Sequence, residues 1–198
     1  MNEWKADIIS MSFGWPTREI QGYEILEQSI QKAYYKTLLF AAASNEGANQ
    51  NRTFPARHAE VICIHASDAN GEPLGFNPPH VSDDNNFATI GEAVESAWPT
   101  HLCNQGNDAS IAYRTGTSFA TPIAAGIAAF LLQYGKENLD EADNERLATS
   151  AGMRAVFRSI KVSKHGYDYV CLRLHPDNFF GRGRDLIKLD IQDILRQN

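Results

Sequence analysis

Short apolar runs alternate with an amphipathic segment along the first part of the chain. Continuous apolar runs that end at turn-forming residues predict buried strands rather than half-exposed ones. Such runs lie at residues 6–14, 37–43, 61–66 and 87–90. Between the first two runs, residues 19–35 carry apolar side chains at helical spacing, with Glu, Gln and Lys on the remaining face. Strand, helix and strand in this order form a βαβ unit, so we predict an α/β fold with a mainly parallel sheet.

A second helix is predicted from Ser118 to Tyr134, because this segment is apolar almost all round and is therefore buried on most sides. Pro122 falls in its first turn, where a residue without an N–H removes no intrahelical hydrogen bond. After Gly135 an acidic stretch leads into a third predicted helix at residues 145–160. No repeat or linker divides the chain.

The composition is that of an ordinary globular domain, with 198 residues of which 43% are hydrophobic. A formal net charge of -6 argues against nucleic acid as a partner, since phosphate binding needs a concentrated cationic face. The chain has no run of 18 apolar residues, and its first residues do not have the pattern of a signal peptide. We therefore expect no nucleic acid and no membrane among its partners, and the cytoplasm is the favoured compartment.

The sequence offers no pattern for a metal or a cofactor. Cys63, Cys103 and Cys171 are far apart and form no Cys-x-x-Cys, so they are interpreted as reduced structural thiols. The Asp83-Asp84 pair lacks the alternating ligands of a calcium loop and is interpreted as a hydrated turn. Neither Gly-x-Gly-x-x-Gly nor a P-loop follows any predicted strand, which makes a nucleotide-binding domain a weak hypothesis. We predict no metal and no cofactor.

Two segments carry candidate chemistry, residues 41–47 and 116–126. Ser118 opens the buried helix, which puts its hydroxyl at the positive end of the helix dipole, beside N–H groups that lack partners. This is the geometry of a nucleophile, although a serine in this position can also simply cap the helix. Asn45 follows an apolar strand, where on its own it is typical of a structural turn.

Taken together, these two segments resemble the subtilisin family of serine proteases. Gly116, the small residues around Ser118 and Pro122 match what the family places around its nucleophile. Asn45 matches the asparagine that the family presents to the oxyanion. Three further segments are similar to family landmarks and occur in the family order: residues 7–14, 54–56 and 94–99.

The resemblance extends from Asp7 to about Leu132, and beyond Gly135 there is only a loose likeness to intracellular fungal members of the family. It implies a three-layer subtilisin-like α/β fold with a mainly parallel sheet. It also implies that residues 1–135 are part of a peptidase domain and that residues 136–198 are a C-terminal helical extension packed on the same domain.

The resemblance also implies roles for single residues. Ser118 would be the catalytic nucleophile and Asn45 the catalytic donor to the oxyanion. The residues that it predicts to contact a polypeptide substrate are Ser12, Phe13, Gly14, Ala43, Ser44 and Thr117. Ser44 departs from the family, which commonly has glycine there, and its side chain would narrow the specificity pocket.

The family's catalytic aspartate and histidine are not recognisable in this sequence. They precede the serine in chain order, yet no Asp-x-Gly and no His-Gly-Thr occurs before Ser118. The six histidines are interpreted as surface or core residues. As the first strand of the chain, residues 7–12 would also have a bare edge of unpaired backbone groups. We therefore expect the fold to be incomplete at its N-terminal side, with the other half of the domain as a partner.

Two functions follow from these observations. The favoured one is a serine endopeptidase that hydrolyses peptide bonds through an acyl-enzyme. This chain alone is then expected to be inactive, because a serine hydroxyl needs an imidazole to take its proton. The alternative is a non-catalytic interaction module that keeps the fold and in which Ser118 only caps its helix.

Overall fold

The computed structural model describes residues 5–47, 50–82, 84–99, 111–172 and 181–197. Its main element is a six-stranded sheet of which the first four strands are parallel. These are β1 (Ile8–Met11), β2 (Leu38–Ala42), β3 (Ile62–Ser67) and β4 (Phe87–Ile90). All four lie within the predicted apolar runs or extend them by one residue.

Two strands near the C-terminal end complete the sheet in the order β1-β2-β3-β4-β8-β7. Strand β8 (Tyr167–Val170) pairs parallel to β4, and β7 (Lys161–Lys164) pairs antiparallel to β8. A separate hairpin joins β5 (Val94–Ala97) and β6 (Ile111–Arg114). Within the described residues β1 pairs only with β2, which leaves it at one edge of the sheet.

Helices cover both faces of the sheet, so the fold has the three layers that we predicted. On one face, α1 (Tyr23–Ala33) packs on a buried cluster that includes Leu39 and Cys63. The helices of the opposite face are α2 (Thr117–Asn138), α4 (Ser150–Ile160) and α5 (Arg184–Gln197). The residues of β2 and β3 are buried throughout, which is typical of parallel strands covered on both sides.

Helix α2 is the central element of this second face and contacts β1, β2, β3 and β4. It runs from Thr117 to Asn138, four residues beyond the predicted end, and Pro122 is its sixth residue and lies inside it rather than in its first turn. By length and composition it could cross a membrane, but the core helix of a globular domain has the same properties. Nine of its residues are buried in the domain.

The single helix predicted at residues 145–160 is wrong. The structure has two helices there, α3 (Glu141–Leu147) and α4, and each begins with a side-chain cap. Asp140 accepts a hydrogen bond from the N–H of Asp143, and the hydroxyl of Thr149 accepts one from the N–H of Gly152. Since such caps fix where a helix starts, Thr149 separates the two helices.

The segment predicted as a helical extension is helical only in part, because β7 and β8 belong to it. Its predicted beginning at residue 136 also falls inside α2. The hairpin turns at His165 and Gly166, whose φ angles are 51° and 83°. Two successive positive φ angles are typical of the tight turn that joins antiparallel strands, a signal that the periodicity of apolar residues does not contain.

A buried arginine organises the loop that precedes β4. Arg52 is only 7% exposed, and its guanidinium bonds to Asp84 Oδ2 at 2.5 Å and to Asn86 Oδ1 at 2.6 Å. Burial alone would raise the pKa of Asp84, but the N–H of Asn85 and the Arg52 charge lower it overall. This turn is therefore bonded to the protein interior rather than simply hydrated. Asp83 lies outside the described residues.

His65 lies fully buried in β3 beside this arginine. Its Nδ1 is 3.1 Å from the carbonyl oxygen of Phe87, which can only accept, so Nδ1 carries the proton of the neutral ring. The ring also contacts Tyr167 edge-on, with 5.1 Å between centroids. Desolvation, followed by the Arg52 charge, lowers the pKa of His65 from 6.5 to about 3.

We predict that His65 makes the fold sensitive to acid. Its pKa is lower in the folded than in the unfolded chain, so its contribution to stability is complete above about pH 6.5 and is lost as the pH falls towards 3. The variant His65→Gln cannot be protonated, so its unfolding free energy should fall less between pH 7 and pH 4 than that of the wild type. Urea unfolding of both proteins at each pH measures this. Equal losses of stability would show that the buried imidazole does not control the acid response.

Candidate active site

Ser118 is the second residue of α2 and lies at the carboxyl edge of the parallel strands. Its backbone N–H belongs to the first helical turn, where no partner exists four residues earlier. No acidic residue lies in this turn, so the positive end of the helix dipole is not neutralised there. The side chain is half-buried. The position therefore combines an accessible hydroxyl with local positive potential.

Asn45 follows β2 and reaches the same helix end. Its Oδ1 accepts a hydrogen bond from the backbone N–H of Thr117 at 2.8 Å and contacts Thr117 Oγ1 at 3.0 Å. A backbone N–H can only donate, so the atom that faces it must be the amide oxygen. Within the described part of the chain, Asn45 Nδ2 makes no hydrogen bond and remains a free donor.

Ser12, which directly follows β1, is hydrogen-bonded to the start of α2. Its hydroxyl donates to the carbonyl oxygen of Ser118 at 2.8 Å. In return, Ser118 Oγ donates to the carbonyl oxygen of Ser12 at 3.3 Å. These two bonds hold the nucleophile candidate against the strand.

A cavity of about 320 Å³ opens between these elements. All of the predicted site residues line it except Ala43, which is fully buried. The Ala43 carbonyl accepts hydrogen bonds from the N–H and the hydroxyl of Thr53, and its N–H donates to Ile64, so its backbone is also engaged. Residues that the sequence analysis did not identify complete the lining: Pro16, Ala42, Glu46, Gln50 and Thr53.

Thr53 is the most informative of these additional residues. It is 7% exposed, and its hydroxyl donates to the carbonyl oxygen of Ala43 at 3.1 Å. A Cβ added to Gly14 would come within 2.3 Å of Thr53 Oγ1 and 2.8 Å of Thr53 Cβ. Thr53 therefore fills the space between the strand end at Gly14 and the end of β2. A sequence signal for it was its position just before Phe54-Pro55-Ala56. Residues 51–53 have the pattern of a surface loop, an interpretation that the burial of Thr53 contradicts.

Ser44 was predicted to narrow the pocket, and it does line the cavity while being only 8% exposed. Its hydroxyl accepts a hydrogen bond from the N–H of Glu46 at 3.3 Å. The hydroxyl is thus used within its own turn. Whether this side chain restricts substrates stays a prediction.

None of the described histidines is hydrogen-bonded to Ser118. The rings of His65 and His80 contact Tyr167, His58 accepts from the N–H of Glu60, and His165 lies beside Glu72. His101 and His175 lie outside the described residues, as does Cys103. Among the residues that the structure describes there is also no group of three or more His, Cys, Asp or Glu that could hold a metal ion.

Known proteins of one family are similar to this chain in sequence and in structure. The family model described as "Subtilase family" matches residues 2–183. Subtilisin DY of Bacillus licheniformis is 29% identical over 160 residues, which cover 76% of this chain and 53% of that protein. Subtilisin-like protease het-Q2 of the fungus Podospora anserina is 26% identical over 156 residues, covering 75% of this chain and 41% of that protein.

A solved structure, that of the prenylagaramide maturation protease PagA, matches with a TM-score of 0.62 and 25% identity. This match covers 96% of the present chain and 62% of that chain. In the sequence comparisons, the chain spans about half the length of the two curated relatives, subtilisin DY and het-Q2.

We predict that the close approach of Gly14 and Thr53 makes position 14 intolerant of any side chain. In Gly14→Ala the new methyl group would overlap the buried Thr53, so unfolding should become easier by about 1–3 kcal/mol. Gly126→Ala is a matched control, because a Cβ at that exposed helical position meets nothing within 4 Å. It should stabilise the chain by about 0.5–1 kcal/mol. Thermal unfolding compares the two variants, and a Gly14→Ala protein as stable as the wild type would contradict the packing described.

Proposed function

We propose, because the chain belongs to the subtilase family of serine proteases, that it supplies the nucleophile and the oxyanion site of an endopeptidase. The observation that carries the proposal is the hydrogen bond from the N–H of Thr117 to Asn45 Oδ1. It leaves Asn45 Nδ2 as a donor at a cavity that Ser118 also lines. A nucleophile and two nearby donors, the amide and the N–H of Ser118, are the minimum that acyl transfer needs from this side of the site.

In the proposed reaction, Ser118 Oγ attacks the carbonyl carbon of a peptide bond. The carbonyl oxygen becomes an oxyanion, which accepts hydrogen bonds from Asn45 Nδ2 and the N–H of Ser118. Collapse of this intermediate transfers the proton taken from Ser118 to the leaving amine, releases that amine and leaves an acyl group on Ser118, which water then removes. The strand end of Ser12, Phe13 and Gly14 would hold the substrate along one wall of the cavity.

The proton of Ser118 needs a base that takes it during the attack and then passes it to the leaving amine. In the structure this hydroxyl donates to the carbonyl oxygen of Ser12, which is not a base at neutral pH. We propose that a histidine, held by an aspartate, comes from a preceding segment of the same domain. The lengths of the relatives support this, since the chain spans 53% of subtilisin DY and 41% of het-Q2.

Two exposed surfaces support such a segment. The first is the free edge of β1, whose backbone groups pair only with β2 among the described strands. The second is the apolar outer face of α2, to which the exposed residues Pro122, Gly126 and Ala129 belong. A cavity of about 500 Å³ lies between them, lined among others by Ile8, Ala129 and Leu132. An edge strand and an apolar face side by side favour added chain that covers both.

A second candidate function is a binding module that does not cleave. The reciprocal hydrogen bonds between Ser12 and Ser118 favour it, because they occupy the hydroxyl without activating it. A polypeptide could still lie along Ser12, Phe13 and Gly14 and place a side chain in the cavity. The two functions differ in whether Ser118 can be acylated.

We predict that a fluorophosphonate probe does not label the 198-residue protein, because nothing described in it takes the Ser118 proton. A longer polypeptide in which Asp-x-Gly and His-Gly-Thr segments precede this chain should be labelled at Ser118. Ser118→Ala in the longer polypeptide is the control and should abolish labelling. Mass spectrometry of the labelled peptide identifies the site.

The other outcomes separate the two functions. Labelling of the 198-residue protein at Ser118 would contradict the proposal that its base lies in a preceding segment. No labelling of either polypeptide, together with saturable binding of unstructured peptides that truncation of the exposed Phe13 in Phe13→Ala weakens, would favour the binding module.

A further inference from the structure

We infer that the hydroxyl of Ser12 replaces a backbone donor that helix α2 lacks, and that Ser12 is thereby a positioning residue for Ser118. The inference rests on the proposed function. It assigns to the Ser12 side chain a task separate from the contact of its backbone with a substrate. The observation that carries it is that the carbonyl group that accepts from Ser12 Oγ lies four residues before a proline.

Pro122 deprives one carbonyl group of α2 of its regular partner. In an α-helix the carbonyl oxygen of residue i accepts a hydrogen bond from the N–H of residue i+4. Pro122 lies inside α2 and has no N–H, so the carbonyl that loses its donor is that of Ser118. In an undistorted helix the proline ring also clashes with this same carbonyl, which favours turning it outwards.

Ser12 supplies a donor to this carbonyl from outside the helix. Its Oγ lies 2.8 Å from the Ser118 carbonyl oxygen, and because a carbonyl oxygen can only accept, the hydroxyl donates. Ser12 directly follows β1, which packs on α2, so the sheet holds the hydroxyl at this place. The two residues are 106 positions apart in the chain. The tertiary fold therefore provides what the helix itself does not.

The bond restrains the part of the backbone that carries the nucleophile. The Ser118 carbonyl belongs to the peptide group next to the Cα of Ser118, and rotation of that group would turn Oγ and the N–H away from the cavity. The Ser118 hydroxyl in turn donates to the Ser12 carbonyl at 3.3 Å, so one residue holds both groups of Ser118. A substrate that fills the cavity excludes water, and water then cannot replace the Ser12 hydroxyl.

The first test is a double-mutant cycle on the 198-residue protein, with the melting temperature as its measurement. Ser12→Ala should lower the melting temperature by about 2–4 °C, the effect of one neutral hydrogen bond in a domain of this size. Pro122→Ala restores the backbone N–H at an exposed position, where the change of side chain requires no repacking. In that background Ser12→Ala should lower the melting temperature by less than about 1 °C.

Ser29→Ala is the matched control. The Ser29 hydroxyl also donates to a helical carbonyl, that of Ile25 at 2.7 Å, but the residue four positions after Ile25 is Ser29 itself, which has its N–H. Its loss should not lower the melting temperature, with or without Pro122→Ala. Equal losses for Ser12→Ala in the two backgrounds would overturn the inference, because the hydroxyl would then not replace the missing N–H.

The second test uses a longer polypeptide that is labelled at Ser118, in which positioning predicts a loss in the chemical step. Ser12→Ala should lower kcat about 3- to 10-fold and change KM less than about twofold, because the backbone that meets the substrate is unchanged. Ser12→Thr keeps the hydroxyl and should recover most of the loss. In the Pro122→Ala background the effect of Ser12→Ala on kcat should shrink to less than about twofold.

The outcomes of the two tests are distinguishable. A rise in KM with unchanged kcat for Ser12→Ala would overturn the positioning role, since the hydroxyl would then bind the substrate instead. If every longer polypeptide proves inactive, the proposed function fails, while the melting temperatures of the 198-residue protein still decide whether Ser12 supplies the donor that Pro122 lacks.

Discussion

The packing of α2 across the parallel strands is the constraint on which the site depends. Helix α2 begins at the carboxyl edge of the sheet, because its first residues are hydrogen-bonded to Asn45 and Ser12, which follow β2 and β1. Ser12 follows β1, Asn45 follows β2, and Ser118 begins α2, so all three are delivered to one edge. Because β1, β2 and β3 each pack on α2, displacing the helix would separate the nucleophile from the residues around it.

The sequence predicts the parts of this structure in which local pattern and burial agree. The strands of the parallel sheet were recognisable because their residues are buried on both faces. Ser118 and Asn45 lie next to such apolar segments, but the pattern alone also allowed a helix cap and a structural turn, and only the resemblance to the subtilisin family predicted their roles. The contact between Gly14 and Thr53 was not predictable, since it joins two loops through the packing of their side chains. The hairpin of β7 and β8 was missed for a similar reason, because its alternation is short and its turn is defined by backbone angles.

Buried polar groups of β3 and of the loop before β4 support the wall of the cavity that contains Thr53. Arg52 directly precedes Thr53, and its bonds to Asp84 and Asn86 tie that wall to the loop before β4. His65 lies next to this network without a bond from its Nε2 among the described residues. Buried polar networks of this kind specify one arrangement of the chain, because any alternative leaves charged or polar atoms unsatisfied.

The two edges of the sheet differ in chemistry. The outer strand β7 carries Lys161 and Lys164, each paired with an acidic side chain, whereas β1 consists of Ile8, Ile9, Ser10 and Met11. Charged side chains on an edge strand hinder the docking of another strand, and uncharged ones do not. A further strand can therefore pair with the sheet at β1 more readily than at β7. During synthesis on the ribosome, any chain N-terminal to β1 would emerge first, so that β1 could be capped as soon as it forms.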